Sequence, residues 1–256
     1  MSDALTLALW QGPAQPGPEA ALTVLEDAVA AAAARGADLL VMPEMFLTGY
    51  DIGAARVAAL AMSVDGDAMR RVGEMSRRHG IGIVVGFPEA DAAGVFNSAA
   101  LIEGGDVVSV ARKAHLFGEV DAAQFVAADA LPGVATFRGW RVAMAICYDV
   151  EFPELVRHHA LAGAEVLLVP TANFAPFESV SARMVPVRAE ENAVFVAYAN
   201  YVGREGRFEY CGGSCICGPD GADIARAGAG PETVLGTIRR GGGGTHLGDR
   251  RADLYG

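Results

Sequence analysis

The sequence predicts a layered α/β fold. Three observations predict it. Short apolar runs of strand length alternate with amphipathic segments of helix length, proline and glycine stand where helices would start and stop, and no linker, repeat or shift of composition divides the 256 residues. A hydrophobic content of 52% can fill a sizeable core. One domain covering residues 1–256 is the simplest expectation.

Residues 5–10 read as a strand. Residues 18–35 read as a helix, with Pro18 at its start and Gly36 just past its end, the positions each residue favours. Residues 38–42 form a buried strand stopped by Pro43. Asp67–His79 is a second amphipathic helix, closed by Gly80. A strand follows over 81–87, then a hairpin of 95–102 and 107–112 turned at Gly104-Gly105. Residues 140–146 make a strand, 153–162 a helix opened by Pro153, and 165–169 another strand. A helix around 180–191 leads to a strand over 193–199. Two more strands, near 210–217 and 233–238, flank the turn Gly218-Pro219-Asp220-Gly221. The glycine-rich, charged tail 241–256 reads either as an arm laid on a neighbouring surface or as a disordered end.

Composition removes several function classes. The net charge of −11 argues against nucleic acid or an anionic membrane as partner. No apolar run approaches the roughly 18 residues a membrane span needs. The start, Met1-Ser2-Asp3, lacks the basic stretch of a signal peptide, so a cytoplasmic location is expected. Four cysteines in such a chain do not make a disulfide framework. The segment Cys211-Gly-Gly-Ser-Cys215-Ile-Cys217 puts two thiols on one face of a strand, but a closed zinc site needs further ligands and no second Cys/His pair is near, so no metal is expected. Neither a Walker loop nor a Gly-x-Gly-x-x-Gly turn opens a helix.

Three segments carry chemistry. An apolar strand runs into Cys147, followed by Tyr148, Asp149 and a helix beginning at Pro153. A thiol at such a strand-to-helix turn can be exposed while backbone N–H groups face a substrate, a setting that lowers a thiol pKa and supplies oxyanion donors. A small buried hydrophobe ending a strand is the competing reading. Glu44 directly follows the strand that Pro43 stops, among apolar neighbours, so it must be paired or have its pKa raised, as a general base requires. A satisfied loop carboxylate is the alternative. Lys113 ends the second hairpin strand and precedes Ala-His115-Leu-Phe. A surface lysine is the default there, but one held near a thiolate would stabilise that anion and an oxyanion alike.

Together, Pro-Glu44 with Gly49-Tyr50 behind it, Arg-Lys113 with His-Leu-Phe behind it, and Cys147-Tyr-Asp-x-Glu-Phe-Pro-Glu resemble the nitrilase superfamily of carbon–nitrogen hydrolases, in the family's order and over essentially the whole chain. The segments Pro170-Thr-Ala-Asn173, Val187-Arg-Ala-Glu190-Glu-Asn192 and Gly218-Pro-Asp-Gly221 are similar too. The resemblance implies an αββα sandwich that pairs through helices into a homodimer or larger homo-oligomer, and hydrolysis without metal or organic cofactor. It implies Glu44 as base, Lys113 and the Tyr148 N–H as oxyanion donors, and Cys147 as nucleophile. Members often carry a second glutamate after the lysine; here the matching position is Asp121, with Glu119 beside it. Tyr50, His115, Asn173 and Phe174 follow the motif strands, where they either line a substrate pocket or serve as structure.

Cys-Tyr-Asp resembles the amidase branches, which implies a small linear carboxamide as substrate. Carbamoyl amines and nitriles are the nearest competitors, transfer of the acyl group to an amine is compatible with the same triad, and a silent scaffold on the same fold is the non-enzyme alternative.

Overall fold

Alternation along the buried strands sets the layering. The computed structural model describes residues 3–241 and 247–255. The first sheet contains β1 (Ala4–Gln11), β2 (Leu39–Val41), β3 (Gly82–Asp91), β4 (Gly94–Glu103), β5 (Asp106–Arg112) and β14 (Glu232–Arg239), in the order β14-β1-β2-β3-β4-β5. The second contains β6 (Ala135–Phe137), β7 (Trp140–Met144), β8 (Val166–Pro170), β9 (Phe195–Ala199), β12 (Cys215–Cys217) and β13 (Asp223–Arg226), in the order β13-β12-β9-β8-β7-β6. In each sheet three central strands run parallel, β1-β2-β3 and β7-β8-β9, and the outer pairings are antiparallel.

Odd residues of β1 and β2 (Leu5, Leu7, Leu9, Leu39, Val41) meet even residues of β7 and β8 (Trp140, Val142, Met144, Val166, Leu168) in one core between the sheets. The remaining faces are covered by helices. Leu40, Ile83 and Val85 lie under α1 (Pro18–Ala34) and α3 (Asp67–His79). Leu167, Val169 and Val196 lie under α5 (Pro153–Leu161) and α6 (Val185–Asn192). Strands buried on both faces read as continuous apolar runs, which is why β2 and β8 show no polar alternation. The result is the αββα sandwich that the resemblance implied.

The structure corrects several boundaries. The strand expected over 210–217 is two strands in different sheets. β10 (Val202–Glu205) pairs with β11 (Phe208–Cys211) in a small ribbon, and the chain then turns at Gly212 and Gly213, with φ of +62° and +72°, into β12. The helix expected around 180–191 opens as a wide π turn over Val180–Met184 before α6. Three short helices escaped the periodicity reading: α2 (Ala54–Leu60), α4 (Gly118–Ala122) and α7 (Ala252–Tyr255). So did β6, β10 and β13, none longer than four residues. Of the tail, residues 242–246 and 256 lie outside the described residues. The part over 247–255 holds α7, with the Arg250 guanidinium 5.1 Å from the Tyr255 ring centroid. No helix among the described residues is long and apolar enough to cross a membrane.

Candidate active site

Glu44, Lys113 and Cys147 each sit just beyond the end of a strand, on the same rim of the sandwich, while the fourth predicted residue, Asp121, lies in α4. Glu44 follows β2, Lys113 follows β5, and both come from the first sheet. Cys147 follows β7, on the second sheet, and begins a 3-10 turn over Cys147–Glu151. Pro43 and Glu44 press against β3 closely enough that a Cβ at Gly86 would lie 2.4 Å from the Met45 nitrogen. Only glycine allows that approach. The turns are strained at two residues with side chains: Met45 has φ +53° and Cys147 has φ +50°. Such left-handed residues cost on the order of 1 kcal/mol and persist where surrounding contacts over-determine them.

Lys113 is fully buried. Its Nζ donates to Glu44 Oε1 at 2.7 Å and lies 2.7 Å from Asp121 Oδ2. Asp121 in turn accepts from the Tyr50 hydroxyl at 2.7 Å and from the Phe117 N–H at 2.8 Å. Glu119 is exposed, so of the two candidate acids it is Asp121 that faces the lysine. Burial alone would lower the Lys113 pKa, but the Glu44 and Asp121 carboxylates outweigh it and hold the ammonium well above its usual range. Burial raises the Glu44 pKa; Lys113 opposes that rise, and the Asp121 charge adds to it. Asn97 Nδ2 shares Glu44 Oε1 at 2.7 Å, while Glu44 Oε2 is buried with no protein partner among the described residues. One carboxylate oxygen is therefore fixed and the other is open to a proton.

The thiol departs from expectation. A lowered pKa was predicted from the turn, yet burial, and then the Glu44 charge, push the Cys147 pKa above its usual range. Lys113, the Thr171 side chain and the Ala172 N–H act in the opposite direction and do not cancel that rise. Such surroundings favour the neutral thiol, and a thiol that attacks from that state gives up its proton during attack rather than before it.

Residues to which the sequence assigned no role brace this arrangement. Asp149 Oδ1 accepts from the His115 N–H at 2.8 Å and lies 2.8 Å from His115 Nδ1, while Oδ2 accepts from the Ile146 N–H at 3.2 Å. It thus ties the segment after Lys113 to the turn that carries Cys147. The Glu44 N–H donates to the Thr171 carbonyl at 3.3 Å, a second link between sheets. Glu205 accepts from the Tyr50 N–H at 3.1 Å and from the Tyr210 hydroxyl at 2.5 Å, fixing the Tyr50 loop. Polar residues Asn97-Ser98 inside an apolar strand were a signal for Asn97. For Glu205 no local signal exists.

Above Cys147 lies a cavity of about 10 Å³, room for roughly one water. Tyr50, Phe117, Tyr148, Asn173, Phe174 and Phe177 line it, with Glu151, whose pKa burial raises. Phe117 meets Tyr148, Phe174 and Phe177 edge to face, with centroids 5.2 to 5.7 Å apart. Tyr50, Asn173 and Phe174, named as possible pocket residues, are thus at the cavity, and so is Tyr148, whose N–H was expected to face the substrate. Asn173 is committed through its Nδ2 to the Phe177 carbonyl at 2.9 Å. His115 is elsewhere: its ring stacks on Phe152 at 3.7 Å. Larger recesses lie outside the triad, one of them, about 550 Å³, against α5 and the tail.

The chain is similar to known proteins in sequence and in structure. The carbon–nitrogen hydrolase family profile matches residues 6–244. A Pseudomonas protegens protein described as a hydrolase in the pqqF 5′ region is 44% identical over 230 residues, 87% of this chain and 81% of its own. An (R)-stereoselective amidase from Pseudomonas sp. is 33% identical over 192 residues, covering 75% of this chain and 69% of the relative. Among solved structures, an amidase from Nesterenkonia sp. AN1 is 34% identical with a TM-score of 0.86, covering 98% of this chain and 95% of that one. In that structure, a glutamate-to-glutamine mutant, the acetamide moiety of fluoroacetamide is attached to the active-site cysteine.

Proposed function

The chain belongs to the carbon–nitrogen hydrolase family, and from that premise we propose that it hydrolyses small linear carboxamides through a thioester on Cys147. It is a cysteine-dependent hydrolase of non-peptide carbon–nitrogen bonds in amides. The observation that carries the residue roles is the buried Glu44–Lys113–Asp121 group with one Glu44 oxygen left open. Glu44 takes the thiol proton as the sulfur attacks the amide carbonyl. Lys113 and the Tyr148 N–H receive the oxyanion. Glu44 returns the proton to the departing nitrogen, and ammonia leaves. Glu44 then deprotonates a water, which attacks the thioester, releasing the acid and restoring the thiol. Asp121 holds Lys113 in place and, with Tyr50, closes the far side. No cofactor takes part in this reading. The narrow aromatic cavity favours a short acyl chain over a bulky one.

Ammonia release across a panel of aliphatic, aromatic, amino-acid and ω-amides, with carbamoyl amines and nitriles included, tests the proposal. Short aliphatic amides are expected to turn over fastest. Consumption of nitriles or carbamoyl amines with no carboxamide hydrolysed would defeat it. In the same assay, activity requires ionised Glu44 and so falls as pH drops through its raised pKa. The acid limb of kcat/KM is expected above the ordinary carboxylate value of 4.5. A limb at or below 4.5 would argue for another base.

We further propose that the chain works as a homodimer joined across α5 and α6. Leu161, on α5, is 52% exposed and Val187, on α6, is 47% exposed, an arrangement that leaves apolar side chains in water unless a second copy covers them. Light scattering is expected to give twice the chain mass, and Val187→Glu to shift it toward one. A wild-type monomer at micromolar concentration would refute this. Four free thiols suit a reducing compartment, so we place the enzyme in the cytoplasm.

A further inference from the structure

The segment Cys211-Gly-Gly-Ser-Cys215-Ile-Cys217 takes no part in the chemistry above. Cys211 points away, its sulfur 3.3 Å from the Asn173 carbonyl oxygen. Cys215 and Cys217, two apart on β12, present their thiols on one face with the sulfurs 3.8 Å apart. Across a register shift at Ile216 and Cys217, Asp223 of β13 brings Oδ1 to 3.4 Å from the Cys217 sulfur. One ligand atom from each of the three residues lies within 4.8 Å of the other two.

We propose that Cys215, Cys217 and Asp223 bind one thiophilic divalent cation, of the zinc and cadmium class. Ligand spacing carries the argument. A tetrahedral zinc with Zn–S near 2.3 Å and Zn–O near 2.0 Å sets its sulfurs about 3.8 Å apart and sulfur from oxygen about 3.5 Å. The fold holds the two sulfurs, and the Cys217 sulfur and Asp223 oxygen, at close to those distances, and keeps the third pair, Cys215 and Asp223, within 4.8 Å. Charge agrees as well. Two thiolates and a carboxylate carry three negative charges; a divalent ion and the Arg226 guanidinium, whose Nε donates to Asp223 Oδ2 at 2.6 Å and whose Nη2 donates to the ligand oxygen Oδ1 at 2.8 Å, carry three positive. Binding therefore adds no net charge to a partly buried place once the two thiol protons leave to solvent. Both cysteines are buried, but the Asp223 carboxylate is 38% exposed and offers the way in. Water completes the fourth position. The sequence motif lacked a further ligand; the fold supplies it six residues downstream, on the neighbouring strand.

The test is a cadmium titration of the full chain, stripped by chelator and kept reduced with a phosphine. An ultraviolet thiolate-to-cadmium band is expected, saturating at one equivalent. It should persist in Cys147→Ala and Cys211→Ser, and disappear in Cys217→Ser with the far-ultraviolet circular dichroism unchanged. Asp223→Asn, at an exposed position that spares the core, should weaken binding, so the conclusion does not hang on the buried variant folding. Zinc should raise the thermal midpoint of wild type and of Cys147→Ala, and not that of Cys217→Ser. Absence of the band would overturn the proposal, leaving two thiols that merely fill the core. Its survival in Cys217→Ser, its loss in Cys147→Ala, or unchanged affinity in Asp223→Asn would do the same.

Discussion

A Lys113→Met protein is expected to lose turnover and about 3–5 kcal/mol of folding stability together. The ammonium is the cation that lies between the Glu44 and Asp121 carboxylates, and both carboxylates are fully buried. Methionine nearly matches the stem in volume, so packing is kept and only charge is lost. Two like charges are then left facing each other in a low-dielectric site, and the Glu44 pKa, raised already, rises further above the value it has in the unfolded chain. A carboxyl group with a raised folded-state pKa favours the fold below its unfolded pKa and loses that contribution as pH rises. The deficit of the variant relative to wild type should therefore shrink from pH 8 toward pH 5. Adding Glu44→Gln should recover part of the stability and none of the activity. Urea unfolding at the two pH values checks this. Wild-type midpoints in Lys113→Met would mean that the three side chains do not form a charge-balanced unit.

Replacing the nucleophile separates chemistry from folding in the opposite way. Cys147→Ser should lower kcat by roughly 10⁴-fold or more, because a hydroxyl gives up its proton less readily than a thiol to the same proposed base, Glu44. The unfolding midpoint should barely move. Cys147 is half-buried at the end of a strand, and serine satisfies the same Thr171 and Ala172 partners. Cys147→Ala should be silent in turnover and still fold. Ammonia release from Cys147→Ala at the wild-type rate would remove the cysteine from the mechanism. The burial that raises the thiol pKa adds a second expectation for the same pair: at neutral pH, alkylation of wild-type Cys147 should accelerate as pH rises.

The three side chains proposed as catalytic were legible for a common reason. Each stands just beyond an apolar run, where a polar residue breaks a local pattern, and at that level Glu44, Lys113 and Cys147 could be named before any geometry was known. Asp121 was legible only as one of two neighbouring acids; the turn of α4 decides between them by burying one and exposing the other. The braces were invisible because they join segments far apart in the chain. Asp149 was part of a motif without a role until its bonds to His115 and Ile146 placed it between two sheets. The thiol pKa was misjudged because turn geometry is local and desolvation is not. The break at Gly212-Gly213 was missed for a related reason, since an apolar pattern does not say which sheet a strand will join.

The base and the ammonium stand on one sheet and the sulfur on the other, so neither half of the protein owns the reaction. A misplacement of about 1 Å can cost roughly 100-fold in rate. Turnover therefore works as a gauge of how firmly the two halves are closed on each other: a slight parting of the Leu7–Met144 core would silence the enzyme while nearly all of its secondary structure survived.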